Sequence, residues 1–112
     1  MHSFEDISPI EREKAELAFA SRDSAAICKA LVSVAFHDPD WKWAQQKCLA
    51  FLEFDDPQVS GLAATCLGHI ARVHRTIDKA LITEALRAHL GNKSIAGRIE
   101  DALMDIEYFA GR

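Results

Sequence analysis

Two stretches of this chain carry the same pattern 36 residues apart. Val59 falls on Ile95, Gly61 on Gly97, Leu67 on Leu103 and Ile70 on Ile106. Cys66 falls on Ala102, small for small, and Asp56 on Asn92, both residue types that open helices. A shift of 18 in the other direction also matches: Asp38-Pro39 falls on Asp56-Pro57, Trp41 on Val59, Cys48 on Cys66 and Leu49 on Leu67. Within each stretch the apolar residues recur at three- and four-residue steps, which puts them on one helical face. A 36-residue unit of two helices is the period of a helical-hairpin solenoid, whose units bury their apolar faces against each other. An irregular helical bundle is the alternative, because amphipathic helices of equal length can be aligned by their apolar steps alone.

Local signals divide the chain into six helices. Residues 1–7 are expected to be a flexible lead-in. Ser8-Pro9-Ile10-Glu11 reads as a capping box with proline at the first helical position. The first helix then spans about 9–20, with Ile10, Ala15, Leu17, Ala18 and Phe19 as apolar contacts. Ser21-Arg22-Asp23-Ser24 breaks it and caps a second helix over about 24–36. Pro39 disfavours helix at Asp38 and ends that element. A third helix covers about 40–53, with Trp41, Ala44, Cys48, Leu49 and Leu52 on one face. Asp56 and Pro57 open the fourth, about 56–72, which also carries a stripe of small residues: Gly61, Ala64 and Gly68. The fifth covers about 78–90, through Ala80, Leu81, Ala85, Leu86 and Leu90, with Gly91 placed to close it. The sixth covers about 94–109, with Ile95, Ile99, Ala102, Leu103 and Ile106 inward. No β-hairpin signal occurs. The reading is a single all-α domain over 1–112: a solenoid of about three antiparallel hairpins, 9–36, 40–72 and 78–109.

Composition narrows the function. A net charge of −4 argues against nonspecific nucleic-acid binding, which rests on phosphate neutralisation by Lys and Arg. The acid is clustered, at Glu53, Asp55 and Asp56 and again at Glu100, Asp101, Asp105 and Glu107, with Arg72, Arg75 and Lys79 between. Such clusters are either solvated surface or a match for a basic partner. Cys28, Cys48 and Cys66 are odd in number, lack CxxC spacing and sit in apolar helical patterns, so free buried thiols in a reducing compartment are expected. The first residues have no apolar h-region, and no run approaches the ~18 apolar residues of a membrane span. A soluble cytoplasmic protein is expected.

Enzymatic constellations are absent. The histidines have no HExxH spacing, and His69 and His74 are five apart, which puts them on different helical faces. There is no Walker loop, GxGxxG or GxSxG. Asp101 and Asp105 lie one turn apart on one face, but nothing supplies the partners for acid–base work or a cation site. No catalysis, metal or cofactor is expected. An enzyme or metalloprotein stands only as the weakest reading.

A family resemblance rests on Asp56-Pro57-Gln58-Val59, then Ala63-Ala64 and Cys66-Leu67-Gly68-His69-Ile70. This resembles the second helix of HEAT-like repeats. Ser60 stands where that family has an arginine, and Asn92-Lys93 replaces Asp-Pro in the last repeat. The resemblance covers about 38–109 and is weak over the first two helices. With DPDWKWAQQKCLAFLE before it and the acidic ending GRIEDALMDIEYF, the chain is similar to small HEAT-like immunity proteins of bacterial contact-dependent and other polymorphic toxin systems. That resemblance implies a protein partner, a cognate toxin domain whose active site is blocked. An adaptor or assembly subunit with a helical partner is the alternative.

Solenoids present a surface lined by the second helix of each hairpin. Off the apolar face, that surface would offer His69 and Arg72, then Arg98, Asp101, Asp105 and Tyr108. The register pairs Thr65 with Asp101 and His69 with Asp105. Trp41 and Trp43 point about 200° apart on their helix. Trp41 therefore takes the core position, and Trp43 either packs on a neighbouring hairpin or anchors a partner. Gly61 and Gly68 read as packing positions between helices.

Overall fold

The longest helix grows from Asp56. Its backbone is extended, and its side chain accepts the Gln58 N–H at 2.9 Å. Pro57 follows at the first helical position with φ already set. In the computed structural model, which describes residues 8–111, this helix is α4, Pro57–His74. It is the fourth of six: α1 Arg12–Ala20, α2 Ser24–His37, α3 Trp41–Leu52, α5 Lys79–Ala88 and α6 Ala96–Phe109. The lead-in expected over 1–7 lies outside the described residues. Among those residues there is no strand, and the fold is all-α.

Val59, Ala63, Cys66, Leu67 and Ile70 of α4 are fully buried, as their spacing predicts. Both flanking faces are used as well: α4 packs against α2, α3 and α6. Helix α1 packs on α2, and α5 on α6. Thus α2, α4 and α6 form one layer in order, with a partner helix beside each. The Cys48 and Cys66 thiols meet between α3 and α4, and all three cysteines are free. Their mutual hydrogen bond, then burial, pushes the Cys66 thiol well above its ordinary value, so it is unreactive.

Gly61 and Gly68 set the α4–α6 approach. A Cβ on Gly68 would lie 3.2 Å from the Ala102 Cα and 3.0 Å from Asp105 Oδ2; one on Gly61 would lie 3.0 Å from Arg98 Cδ and 3.3 Å from Ile95 Cγ2. Both are packing positions. Gly97, the repeat equivalent of Gly61, has nothing within 4 Å of such a Cβ. Other repeat positions agree: Val59 with Ile95 and Ile70 with Ile106 are buried pairs. Asp56 and Asn92 make the same turn, each accepting the N–H two residues on, Gln58 at 2.9 Å and Ser94 at 3.1 Å.

The ends of the chain differ from expectation. The capping box at Ser8–Glu11 does not form. The Ser8 carbonyl accepts the Ser33 hydroxyl at 2.7 Å, Glu11 stays extended, and α1 starts only at Arg12. A helix this short buries one narrow face. Ala15 takes it, and Leu17, about 200° round, is 72% exposed. In α5 the buried pair is Ile82 and Leu86, one turn apart, which turns Leu81 outward; Leu90 lies beyond the end of the helix and is exposed there. Gly91 is not left-handed. The chain instead leaves α5 through a turn at His89, whose ring contacts the Glu53 carboxylate.

Asp78 stands at the N-cap of α5 but makes no side-chain cap bond. Gln45 of α3, 2% exposed, holds it instead: the amide Nε2 donates to the Asp78 carboxylate, and Oε1 accepts the Asp78 N–H at 3.0 Å. Gln45→Met keeps the volume and removes both bonds. The expected loss is about 1–2 kcal/mol in urea unfolding, because the Asp78 N–H loses its partner.

Candidate protein-binding surface

The close approach of α4 and α6 leaves a shallow depression of about 330 Å³ between them, lined by Thr65, Asp101, Ala102, Met104 and Asp105. Thr65 and Asp101 thus share one surface, as the repeat register implies. On α6 the residues Asp101, Met104, Asp105 and Tyr108 follow i, i+3, i+4, i+7 spacing and form one face. The opposite face, Ile99, Ala102 and Ile106, is buried. The outward face is apolar and acidic in alternation: Met104 is 69% exposed and Tyr108 81%. Arg98 is exposed one turn before Asp101, and its stem lies over Gly61. A second depression, about 430 Å³, lies beyond Tyr108, lined by Arg75, Thr76, Ile77, Phe109, Ala110 and Gly111. Arg75 covers the Phe109 ring there at 5.0 Å.

His69 and Arg72 do not play equivalent parts. His69 is only 7% exposed. Its ring lies 4.7 Å from that of Phe36 on α2, and Arg72 Nη2 donates to its Nδ1 at 3.0 Å. The guanidinium also sits 5.9 Å from the Phe36 ring. Arg72 is therefore the surface group, and His69 is the buried acceptor that positions it. Burial, then the Arg72 charge, lowers the His69 pKa from 6.5 to about 4.

This has a consequence for stability. The unfolded chain takes up a proton at His69 near pH 6.5, whereas the folded chain takes it up only near pH 4. Stability is therefore complete above pH 6.5 and falls as pH drops towards 4, by about 2 kcal/mol at pH 5. Asp40 is held below the usual carboxylate range by the Trp43 N–H and Arg12, and Asp56 by Ser24 and the Gln58 N–H. Their contributions are lost only below that range, outside this window. Urea unfolding at pH 7 and pH 5 should show a smaller drop for His69→Gln than for the wild type, by about that amount.

Trp43 belongs to a different neighbourhood. Its ring carries Arg12 of α1 at 4.0 Å and Lys47 at 5.8 Å, and lies 6.4 Å from Phe19. Arg12 also pairs with Asp40 at 3.2 Å and Asp38 at 3.7 Å. The packing role named as one alternative is thus occupied, and the ring is half-buried between α1 and α3. Arg98, Asp101, Asp105 and Tyr108 come together on α6, and Arg72 stands on α4. Met104 is an addition to the residues that the sequence points to, although its place in the α6 spacing is readable there. Phe36 cannot be found that way, because its contact with His69 spans two helices.

Among the described residues no group of His, Cys, Asp and Glu could hold a metal ion, and no helix is long and apolar enough to cross a membrane. No protein-family model matches the chain, and no curated protein matches it. A solved structure does. The chain is 30% identical to a chain in the crystal structure of a CDI complex from Cupriavidus taiwanensis LMG 19424, covering 97% of this chain and 98% of that one, with a TM-score of 0.84.

Proposed function

Because this chain belongs to the same family as the matched chain of the Cupriavidus taiwanensis CDI complex, we propose that it is an immunity protein. It binds a toxin domain of a contact-dependent growth inhibition system in the cytoplasm and neutralises it without catalysis. The observation that carries this reading is the extent of the likeness: it runs over 97% of the chain, so a whole binding scaffold is shared rather than a fragment. The net charge of −4 supports a protein partner over a nucleic acid.

The toxin-facing surface in this reading is the exposed side of α4 and α6: Arg72, Arg98, Asp101, Asp105 and Tyr108, with His69 behind Arg72. Trp43 supports α1 against α3 and is a contact only if the partner reaches past α1. The scaffold itself is read as a HEAT-like solenoid. The ordered layer of α2, α4 and α6, and the turns that Asp56 and Asn92 make alike, support that reading.

The test is co-purification. This chain and the toxin domain that the immunity reading expects in the neighbouring upstream reading frame are produced together and passed over a sizing column. A one-to-one complex is expected. Separate elution of two folded proteins would remove the immunity reading.

A further inference from the structure

We infer that the Asp105–Tyr108 pair on α6 is a receptor for an arginine side chain of the protein partner; this rests on the toxin-binding reading above. The chain contains its own template for such a site. Arg12 is held between a carboxylate and an aromatic ring three residues apart, 3.2 Å from Asp40 and 4.0 Å from the Trp43 ring. Asp40 holds its place as the N-cap of α3; Asp105, half-buried beside Gly68, and exposed Tyr108 have the same spacing within α6, where residues three apart are surface neighbours. Among the described residues no arginine fills the place. Arg72 is committed to His69 and Phe36, and Arg75 to Phe109.

The charge around the pair is complementary to such a guest. Some carboxylates elsewhere are matched within the chain: Asp38 and Asp40 by Arg12, Glu16 by Lys47, Glu53 by His89 and Glu107 by Lys79. Among the described residues, Glu100, Asp101 and Asp105 make no ion pair. Next to them Tyr108 is 81% exposed, with Phe109 edge-on at 4.7 Å steadying its ring. Met104, 69% exposed, can cover the guest's methylene stem. A guanidinium suits this place better than an ammonium. It can donate in bidentate fashion to a carboxylate and lie flat on a ring at once.

The experiment measures affinity for the toxin domain by calorimetry, using folded full-length variants. Tyr108→Ala and Asp105→Asn should each weaken binding by about tenfold or more, and Tyr108→Phe by less than about twofold, because the ring face and not the hydroxyl is used. If one guanidinium touches both groups, the losses are not independent, so the double variant should fall short of the product of the singles by about threefold or more. Losses that simply multiply, or a Tyr108→Ala variant within about twofold of wild type, would overturn the shared-arginine site while leaving toxin binding intact. Absence of any wild-type binding would instead overturn the immunity reading and this site with it.

Discussion

Gly68→Leu is expected to destabilise the protein by about 3 kcal/mol or more. The position lies where α4 packs tightly on α6, and the backbone Cα of Ala102 would stand 3.2 Å from a Cβ placed there. A side chain in the way could rotate; a helix backbone can only move as a unit. Leucine must therefore push α6 off α4, which also loosens Ile99, Ala102 and Ile106. Gly97→Ala makes the contrast. Its Cβ meets nothing within 4 Å, so the gain in helix propensity is unopposed, and stabilisation by about half a kcal/mol is expected. Thermal and urea melts of the two variants read both signs. Equal effects would contradict the role given to the α4–α6 contact at Gly68.

The second large effect falls on binding. Changing Asp101 and Asp105 together to Lys should weaken toxin affinity by about 100-fold or more, since attraction becomes repulsion across the same depression. Much of the loss should appear in the association rate and should shrink as salt is raised. Folding should survive the change at exposed Asp101; Asp105 is half-buried beside Gly68, with its carboxylate at the α4–α6 contact, so its lysine must turn outward for the fold to be kept. Circular dichroism and a melt within a few degrees of wild type check that. The companion change Glu84→Lys, exposed on α5, reverses a charge away from that face and should leave affinity unchanged. Loss of affinity in that variant as well would assign the effect to net charge rather than to the α6 face.

The sequence disclosed the architecture where local and long-range signals agreed. Asp56-Pro57, the three- and four-step apolar pattern and the 36-residue register all concern α4 and α6, and there the buried faces follow from the residues; the start of α6 does not, since the helix begins at Ala96 with Ile95, not Asn92, at its N-cap. Local chemistry alone misled at the edges. Ser8-Pro9-Ile10-Glu11 satisfies a capping box, but the Ser8 carbonyl is taken by Ser33, 25 residues away, and the chain stays extended. Leu17 and Leu81 are apolar and helical yet exposed, because α1 and α5 each pack on one narrow face. The surface was legible as a face but not in its division of labour. Spacing placed Asp101, Asp105 and Tyr108 together. It could not say that His69 is withdrawn beneath Arg72, since that depends on Phe36 of a different helix.

Neutralisation of a toxin by binding has a direct measurement in living cells. Cells produce the toxin domain that this reading expects in the adjacent upstream reading frame, and growth is followed in the presence and absence of this chain. Growth should be restored by the wild type and lost again with the Asp101→Lys, Asp105→Lys double variant at equal protein level. Arrest in the presence of abundant, folded wild-type protein would contradict the claim.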